Sequence, residues 1–177
     1  MTERDPGLVE KALKGDRAAF ERLLSEHYSM MYRVAYRFTG QKQDAEDIAQ
    51  NVCMQLPDKL ASFKGQSSFS TWLYKIVLNA CRDMHKVRGA RGQLMRSYLE
   101  MEKGQAAEAR EDNLKVAWLY RAIAGLEDAL RETALLVLAE DLSHAEAAAI
   151  LSCAESTVSW RMHEVRKRLK QLVSTYP

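Results

Sequence analysis

The chain has 177 residues, 47% of them hydrophobic, and a formal net charge of +2, which allows one large domain or two small ones. No apolar run approaches the ~18–20 residues that span a membrane, and the first residues do not read as a signal peptide, so membrane insertion is excluded and a cytoplasmic chain with reduced thiols is expected. Cys53, Cys81 and Cys153 form no C-x-x-C pair and no His/Cys/Asp/Glu spacing resembles a metal site, so neither metal nor cofactor is expected.

The near-balanced charge hides its distribution. Residues 72–91 and residues 156–172 each carry five cations against one acid, while residues 100–155 hold five cations against twelve acids. Two basic helices with an acidic stretch between them imply two polyanion-facing surfaces, with ordinary solvated charge as the bland alternative for either one alone.

With three prolines, eight glycines and no sustained polar/apolar alternation, the periodic segments predict an all-α fold. A short helix is expected over about Leu8–Lys14, stopped by Gly15, with Asp16 capping a second helix from Arg17 that extends to Tyr28 or on to Gly40. "DAEDIAQNVCMQL" opens a third helix with acids in its first turn, where the helix dipole favours them, and Pro57 is expected to end or kink it. "ASFKGQSSFS" reads as a loop, after which Ser70 or Thr71 is expected to cap a fourth helix.

In that fourth helix, Leu73, Ile76, Ala80, Met84 and Val87 form the expected core stripe. Trp72, Lys75, Asn79, Arg82 and Lys86 fall in a sector of roughly 80° elsewhere on the helix. An aromatic can stack on an unpaired base, an asparagine amide can read a base edge, and cations can hold the backbone beside them. The combination suits melting or single-stranded DNA better than intact duplex; the alternative is that Trp72 caps the core and Asn79 is merely solvated.

From Gly89 to about Asp112 the pattern weakens into a Gly-, Gln- and charge-rich stretch that reads as a flexible linker. Helices are expected beyond it at about Leu114–Ala124, Glu127–Asp141, Ser143–Leu151 and Ser156–Leu172. Ser143 and Glu146 fit a capping box, and the turn Ser152–Glu155 before a long basic helix makes a helix-turn-helix signature. In the last helix Val158, Met162, Val165, Leu169 and Leu172 are expected to pack inward. Ser156, Trp160, His163 and Lys167, flanked by Ser159, Glu164 and Lys170, then face outward towards a major groove, with Arg161, Arg166 and Arg168 beside the phosphates. Trp160 packed against a neighbouring helix is the alternative.

Four stretches together, "GDRAAFERLLSEHY", "DAEDIAQNV", "FKGQSSFSTWLYKIVLNACRD" and "LSHAEAAAILSCAESTVSWRMHEVRKRL", resemble bacterial RNA polymerase sigma factors of the extracytoplasmic-function (ECF) group, in order and over almost the whole chain. The resemblance implies two small helical domains: residues 8–90 as sigma region 2, a flexible linker at 91–112, and residues 113–173 as sigma region 4 with its helix-turn-helix. It implies core RNA polymerase and promoter DNA as partners, an anti-sigma factor as a further one, and no catalytic centre.

By the same resemblance Asp44, Glu46, Asp47, Gln50 and Asn51 dock on the largest polymerase subunit. Asn79 contacts a flipped-out base of the −10 element, with Phe63, Lys64, Gly65, Ser67 and Phe69 in the pocket loop and Trp72, Lys75, Arg82 and Lys86 alongside. Ser156, Thr157, Ser159, Trp160, Arg161, His163, Arg166 and Lys167 stand on the helix that reads the −35 element. Ser156 replaces a common glycine and Ser159–Trp160 a frequent basic–small pair, so no −35 consensus transfers. A stand-alone helix-turn-helix regulator would explain the second half but not the Trp72–Asn79 stripe. An enzyme is a poor third, since His27, His85, His144 and His163 have no catalytic partners at suitable spacing.

Overall fold

The computed structural model describes residues 6–88 and 118–173, without the side chains of residues 6, 87, 88 and 173. These residues are helical with short turns and fall into two compact units, one ending at Arg88 and one following it. The linker expected at 91–112 lies outside the described residues.

In the first unit α1 (Pro6–Leu13) leads into α2 (Arg17–Thr39), α3 (Lys42–Leu60) and α4 (Phe69–Arg88). The punctuation between them is local chemistry. Asp16 Oδ1 accepts from the Ala19 N–H at 3.1 Å and starts α2. The helix runs without a break past Tyr28 to Gly40, whose φ of 68° is a left-handed conformation that glycine adopts at little cost, and whose N–H donates to the Tyr36 carbonyl at 2.7 Å.

Helix α2 packs on α1, α3 and α4, and α3 also meets α4. Met31, Val34, Ala35 and Phe38 of α2 are buried against Ala45, Ile48, Ala49, Val52 and Leu56 of α3 and Leu73, Tyr74, Val77 and Leu78 of α4. Each fully buried large apolar side chain here contributes about 1.5–3 kcal/mol relative to exposure.

Pro57 does not end α3, which continues to Leu60. A proline there deprives the Cys53 carbonyl of one intrahelical donor, and the buried side chains of Leu56 and Leu60 hold the last turn on the core. The cap of α4 also lies earlier than expected. Ser68, not Ser70 or Thr71, supplies it: its Oγ accepts from the Thr71 N–H at 3.1 Å and lies 2.9 Å from the Thr71 hydroxyl.

The apolar face of α4 differs from the expected stripe. Phe69, Leu73, Tyr74, Val77, Leu78 and Cys81 are buried, whereas Ile76, Ala80 and Met84 are only half-buried flanks. The core face is thus rotated by roughly 60° towards Tyr74 and Leu78, taking ~100° per residue. That rotation puts the core nearly diametrically opposite Trp72, Lys75, Asn79, Arg82 and Lys86.

The second unit contains α5 (118–124), α6 (Asp128–Ala134) continuing into a π-turn at Leu135–Ala139, α7 (His144–Leu151) and α8 (Glu155–Val173). The capping box is formed: the Ser143 hydroxyl and N–H both donate to Glu146 Oε2, at 2.7 and 2.9 Å, and the Glu146 N–H donates back to Ser143 Oγ at 3.2 Å. The turn to α8 is Ser152–Ala154, one residue shorter than expected, and closes through Ser152 in a left-handed conformation with φ of 54°.

Helix α8 packs on α6 and α7. Val158, Met162 and Val165 are fully buried, but Leu169 is half-buried and Leu172 is 44% exposed, because the last turns of α8 leave the packed part of the unit.

Candidate nucleic-acid interface

The first surface is built on the solvent side of α4 and the loop before it. Asn79 and Lys86 are exposed, and Trp72, Lys75 and Arg82 are half-buried, so all five stripe residues reach solvent. Arg82 Nη1 donates to Asn79 Oδ1 at 2.9 Å, which commits the amide oxygen to the protein and leaves the amide NH2 to offer its donors. Lys86 lies 3.5 Å from Asp83, an exposed pair that costs little to exchange for a phosphate.

The loop is shaped by an aromatic cluster. Phe63 meets Phe69 edge-on with centroids 5.8 Å apart, and Trp72 lies 5.4 Å from Phe63 and 5.5 Å from Phe69. Phe69 is completely buried, so it cannot line a base pocket as expected; it is the floor on which Phe63 and Trp72 rest. Lys64 and Gly65 are exposed and Ser67 half-buried at the loop's outer edge, where Gly65 takes a φ of 67° with open space around it.

His27 supports the same cluster from α2, a role that no local sequence pattern marks. Its ring meets Phe69 edge-on at 5.1 Å. Its Nδ1 donates to the Leu23 carbonyl at 2.9 Å, and its Nε2 lies 3.3 Å from the Ser70 hydroxyl.

On α3, Asp47, Gln50 and Asn51 are exposed and Glu46 is half-buried. Asp44, expected among the docking residues, is only 3% exposed: it lies inside the first turn and cannot be a contact on the outer surface. Met54, three and four residues beyond Asn51 and Gln50, continues the exposed face at 69% exposure. The period of α3 carries the signal, since at ~100° per residue Met54 lies nearly opposite the core positions Ile48, Val52 and Leu56.

The second surface is α8. Trp160 is 63% exposed, which removes the packing alternative, and Ser156, Ser159, His163, Arg166 and Lys167 are exposed beside it. Thr157 and Arg161 are half-buried at its edges. Arg168 turns away from the expected phosphate flank: it donates to Glu164 at 3.3 Å and to Glu127 at 3.4 Å, tying α8 to the start of α6. Among the described residues no cluster could hold a metal ion and no helix is long and apolar enough to cross a membrane.

A basic, aromatic and amide-bearing helix in one unit and a capped helix-turn-helix in the other have counterparts in known proteins. The Sigma-70 region 2 family model matches residues 23–91, and the Sigma-70 region 4 model matches residues 117–169. The ECF RNA polymerase sigma factor SigM of Mycobacterium tuberculosis is 30% identical over 96% of this chain and 84% of its own length. The chain is a member of the ECF sigma factor family.

RNA polymerase sigma-H factor of Pseudomonas aeruginosa is 29% identical to this sigma factor over 94% of the chain and 92% of the relative. The ECF sigma-E factor of Escherichia coli is 28% identical over 96% and 94%. In fold, the sigma factor is similar to CnrH, solved in complex with the cytosolic domain of CnrY, with a TM-score of 0.73 at 24% identity over 99% of this chain and all of that one. Like its family, this sigma factor binds core RNA polymerase, recognises −35 and −10 promoter elements and promotes strand opening for transcription initiation.

Proposed function

We propose that the outer face of α4 captures an extruded −10 base and that the outer face of α8 reads the −35 element. The observation that carries the first assignment is the pairing of Asn79 with Arg82 on the side of α4 opposite its core. An amide whose oxygen is already engaged presents its NH2 donors in a defined direction, beside the cations Lys75 and Lys86 that hold the strand. Lys64, Gly65 and Ser67 form the outer edge of the pocket, and Phe63 and Trp72 form its wall.

Ser156, Thr157, Ser159, Trp160 and His163 take the base edges of the −35 duplex, with Arg161, Arg166 and Lys167 on phosphates. Glu46, Asp47, Gln50, Asn51 and Met54 dock on the polymerase, while Asp44 acts from inside α3. The functional division then follows residues 8–90, a linker at 91–112 and residues 113–173. The sigma factor has no catalytic centre of its own and works in the cytoplasm.

An anti-sigma factor is proposed to hold it inactive. CnrH was solved with the cytosolic domain of CnrY, and the sigma factor RpoE of Bartonella quintana, 24% identical with a TM-score of 0.64, with the anti-sigma factor NepR. Run-off transcription with sigma-free bacterial core polymerase on fragments of the source genome tests the reading. Discrete start sites that require the protein support it; retardation of duplex DNA without any gain of start sites opposes it.

A further inference from the structure

At the entrance to the helix-turn-helix, His144 Nδ1 lies 2.9 Å from the hydroxyl of Ser159, fifteen residues away on α8. The contact is local in space and tightly built. Ser143 caps α7 through its reciprocal bonds with Glu146, which fixes the first turn that carries His144. Val158 is buried directly before Ser159, and Met162 one turn later, so the backbone of α8 at this point is anchored from beneath. His144 is half-buried, whereas Ser159 is exposed on the outer face shared with Trp160 and His163.

A serine hydroxyl has one hydrogen to donate and two lone pairs to accept with, and it rotates to suit whatever meets it. An unrestrained serine therefore contacts any base edge and discriminates little. A bond to an imidazole nitrogen fixes that rotation. Where Nδ1 accepts, the serine hydrogen is consumed and Oγ offers only lone pairs, which suit adenine N6 or cytosine N4. Where Nδ1 carries hydrogen, Oγ accepts from it, its own hydrogen remains for guanine O6 or N7, adenine N7 or thymine O4, and the one lone pair left points in a fixed direction.

We propose that His144 is a positioning residue for promoter selectivity: by holding the Ser159 hydroxyl in one orientation it restricts which base edge that residue can meet in the −35 element. The inference rests on the assignment of α8 to the −35 duplex and adds to it a residue outside the recognition helix. His144 touches no base in this scheme; it sets what Ser159 asks of one. The hydrogen bond at stake is of ordinary strength, so the selectivity it confers at one base pair is roughly three- to ten-fold.

The test uses the full chain assembled with core polymerase. Holoenzymes carrying the parent sequence, Ser159→Ala, His144→Ala or both substitutions select from promoter fragments randomised across the −35 element, and the retained fragments are sequenced. The expected result is that both single variants lose preference at the same base pair, roughly three- to ten-fold, and that the double variant is no worse there than Ser159→Ala. Such non-additivity marks two side chains acting as one unit.

Uniform weakening of all sequences by His144→Ala overturns the proposal in favour of a phosphate contact or a folding role. A preference lost with Ser159→Ala but retained with His144→Ala overturns it too, and leaves Ser159 as an independent reader. If Ser159→Ala changes no preference at all, the hydroxyl reads no base, and the assignment of Ser159 falls together with the inference.

Discussion

The rings of Phe63 and Trp72 lie with centroids 5.4 Å apart and planes inclined by 57°, so the loop after α3 is held to the first turn of α4 by aromatic packing. Both rings rest on the buried ring of Phe69, which His27 meets from α2. Phe63→Ala removes the upper half of this stack but leaves its floor. Aromatic pairs contribute about 0.5–1.5 kcal/mol beyond area burial, so strand opening at −10 is expected to slow by roughly three- to ten-fold while holoenzyme assembly is retained. Permanganate reactivity of −10 thymines, followed over time with a parallel core-binding assay, reads both quantities. Unchanged opening would mean that Phe63 only covers the core.

Asn79 is exposed and its amide oxygen is held by Arg82 at 2.9 Å. If the amide captures an unstacked base, its benefit falls mainly on the step at which the duplex is opened. Asn79→Ala is therefore expected to reduce initiation on closed promoters more than on templates already melted across −10. Equal loss on the two templates would count against base capture.

These two sites differ in how readable they were from sequence. Helix α1 begins at Pro6, two residues before the expected Leu8, but the starts of α2 and α7 were legible because Asp16 and the Ser143–Glu146 box act within a few residues of themselves. The phase of the α4 core was not, because Leu73, Ile76, Ala80 and Met84 formed a plausible stripe while the larger buried surface belonged to Tyr74, Val77 and Leu78, chosen by contact with α2 and α3. The bridge from His27 to Ser70 spans 43 residues and leaves no mark in any local pattern. Asp44 looked like its neighbours Glu46 and Asp47, since all three fit the dipole at a helix start; packing alone separates the buried one from the rest.

That separation has a measurable consequence. Asp44→Ala disturbs a buried polar position and is expected to destabilise the first unit by about 1–3 kcal/mol. Met54→Glu changes a side chain that is 69% exposed, so its effect on stability should stay within about 0.5 kcal/mol. Core-polymerase affinity is expected to show the reverse order when measured on folded protein, with Met54→Glu the weaker binder. Urea titrations and binding titrations on the two variants check the pair. A normal affinity for Met54→Glu would remove Met54 from the docking face.

Trp160 is 63% exposed, while Val158 and Met162 on the same helix carry the packing. Trp160→Ala is thus expected to leave the thermal midpoint nearly unchanged and core binding intact. Selectivity for the −35 element should fall, because a large apolar side chain on an outward face is positioned for contacts such as a thymine methyl group. Competition between a cognate and a scrambled −35 element gives the ratio directly. An unchanged ratio would remove Trp160 from the reading face.

The helix that carries His144 depends on charge as well as on hydrogen bonding. The Ser143 hydroxyl and backbone N–H both donate to the Glu146 carboxylate, and chiefly through these bonds its pKa is lowered to about 2. A carboxyl that titrates lower in the folded than in the unfolded chain contributes stability that is complete above the ordinary carboxylate range and is lost as pH falls through the folded value. The difference in thermal midpoint between the parent protein and Glu146→Ala is therefore expected to be constant near neutrality and to shrink as pH falls from 4.5 towards about 2. Melts of both proteins across that window measure it. A difference that does not change with pH would assign the role of Glu146 to packing of its aliphatic stem rather than to its charge.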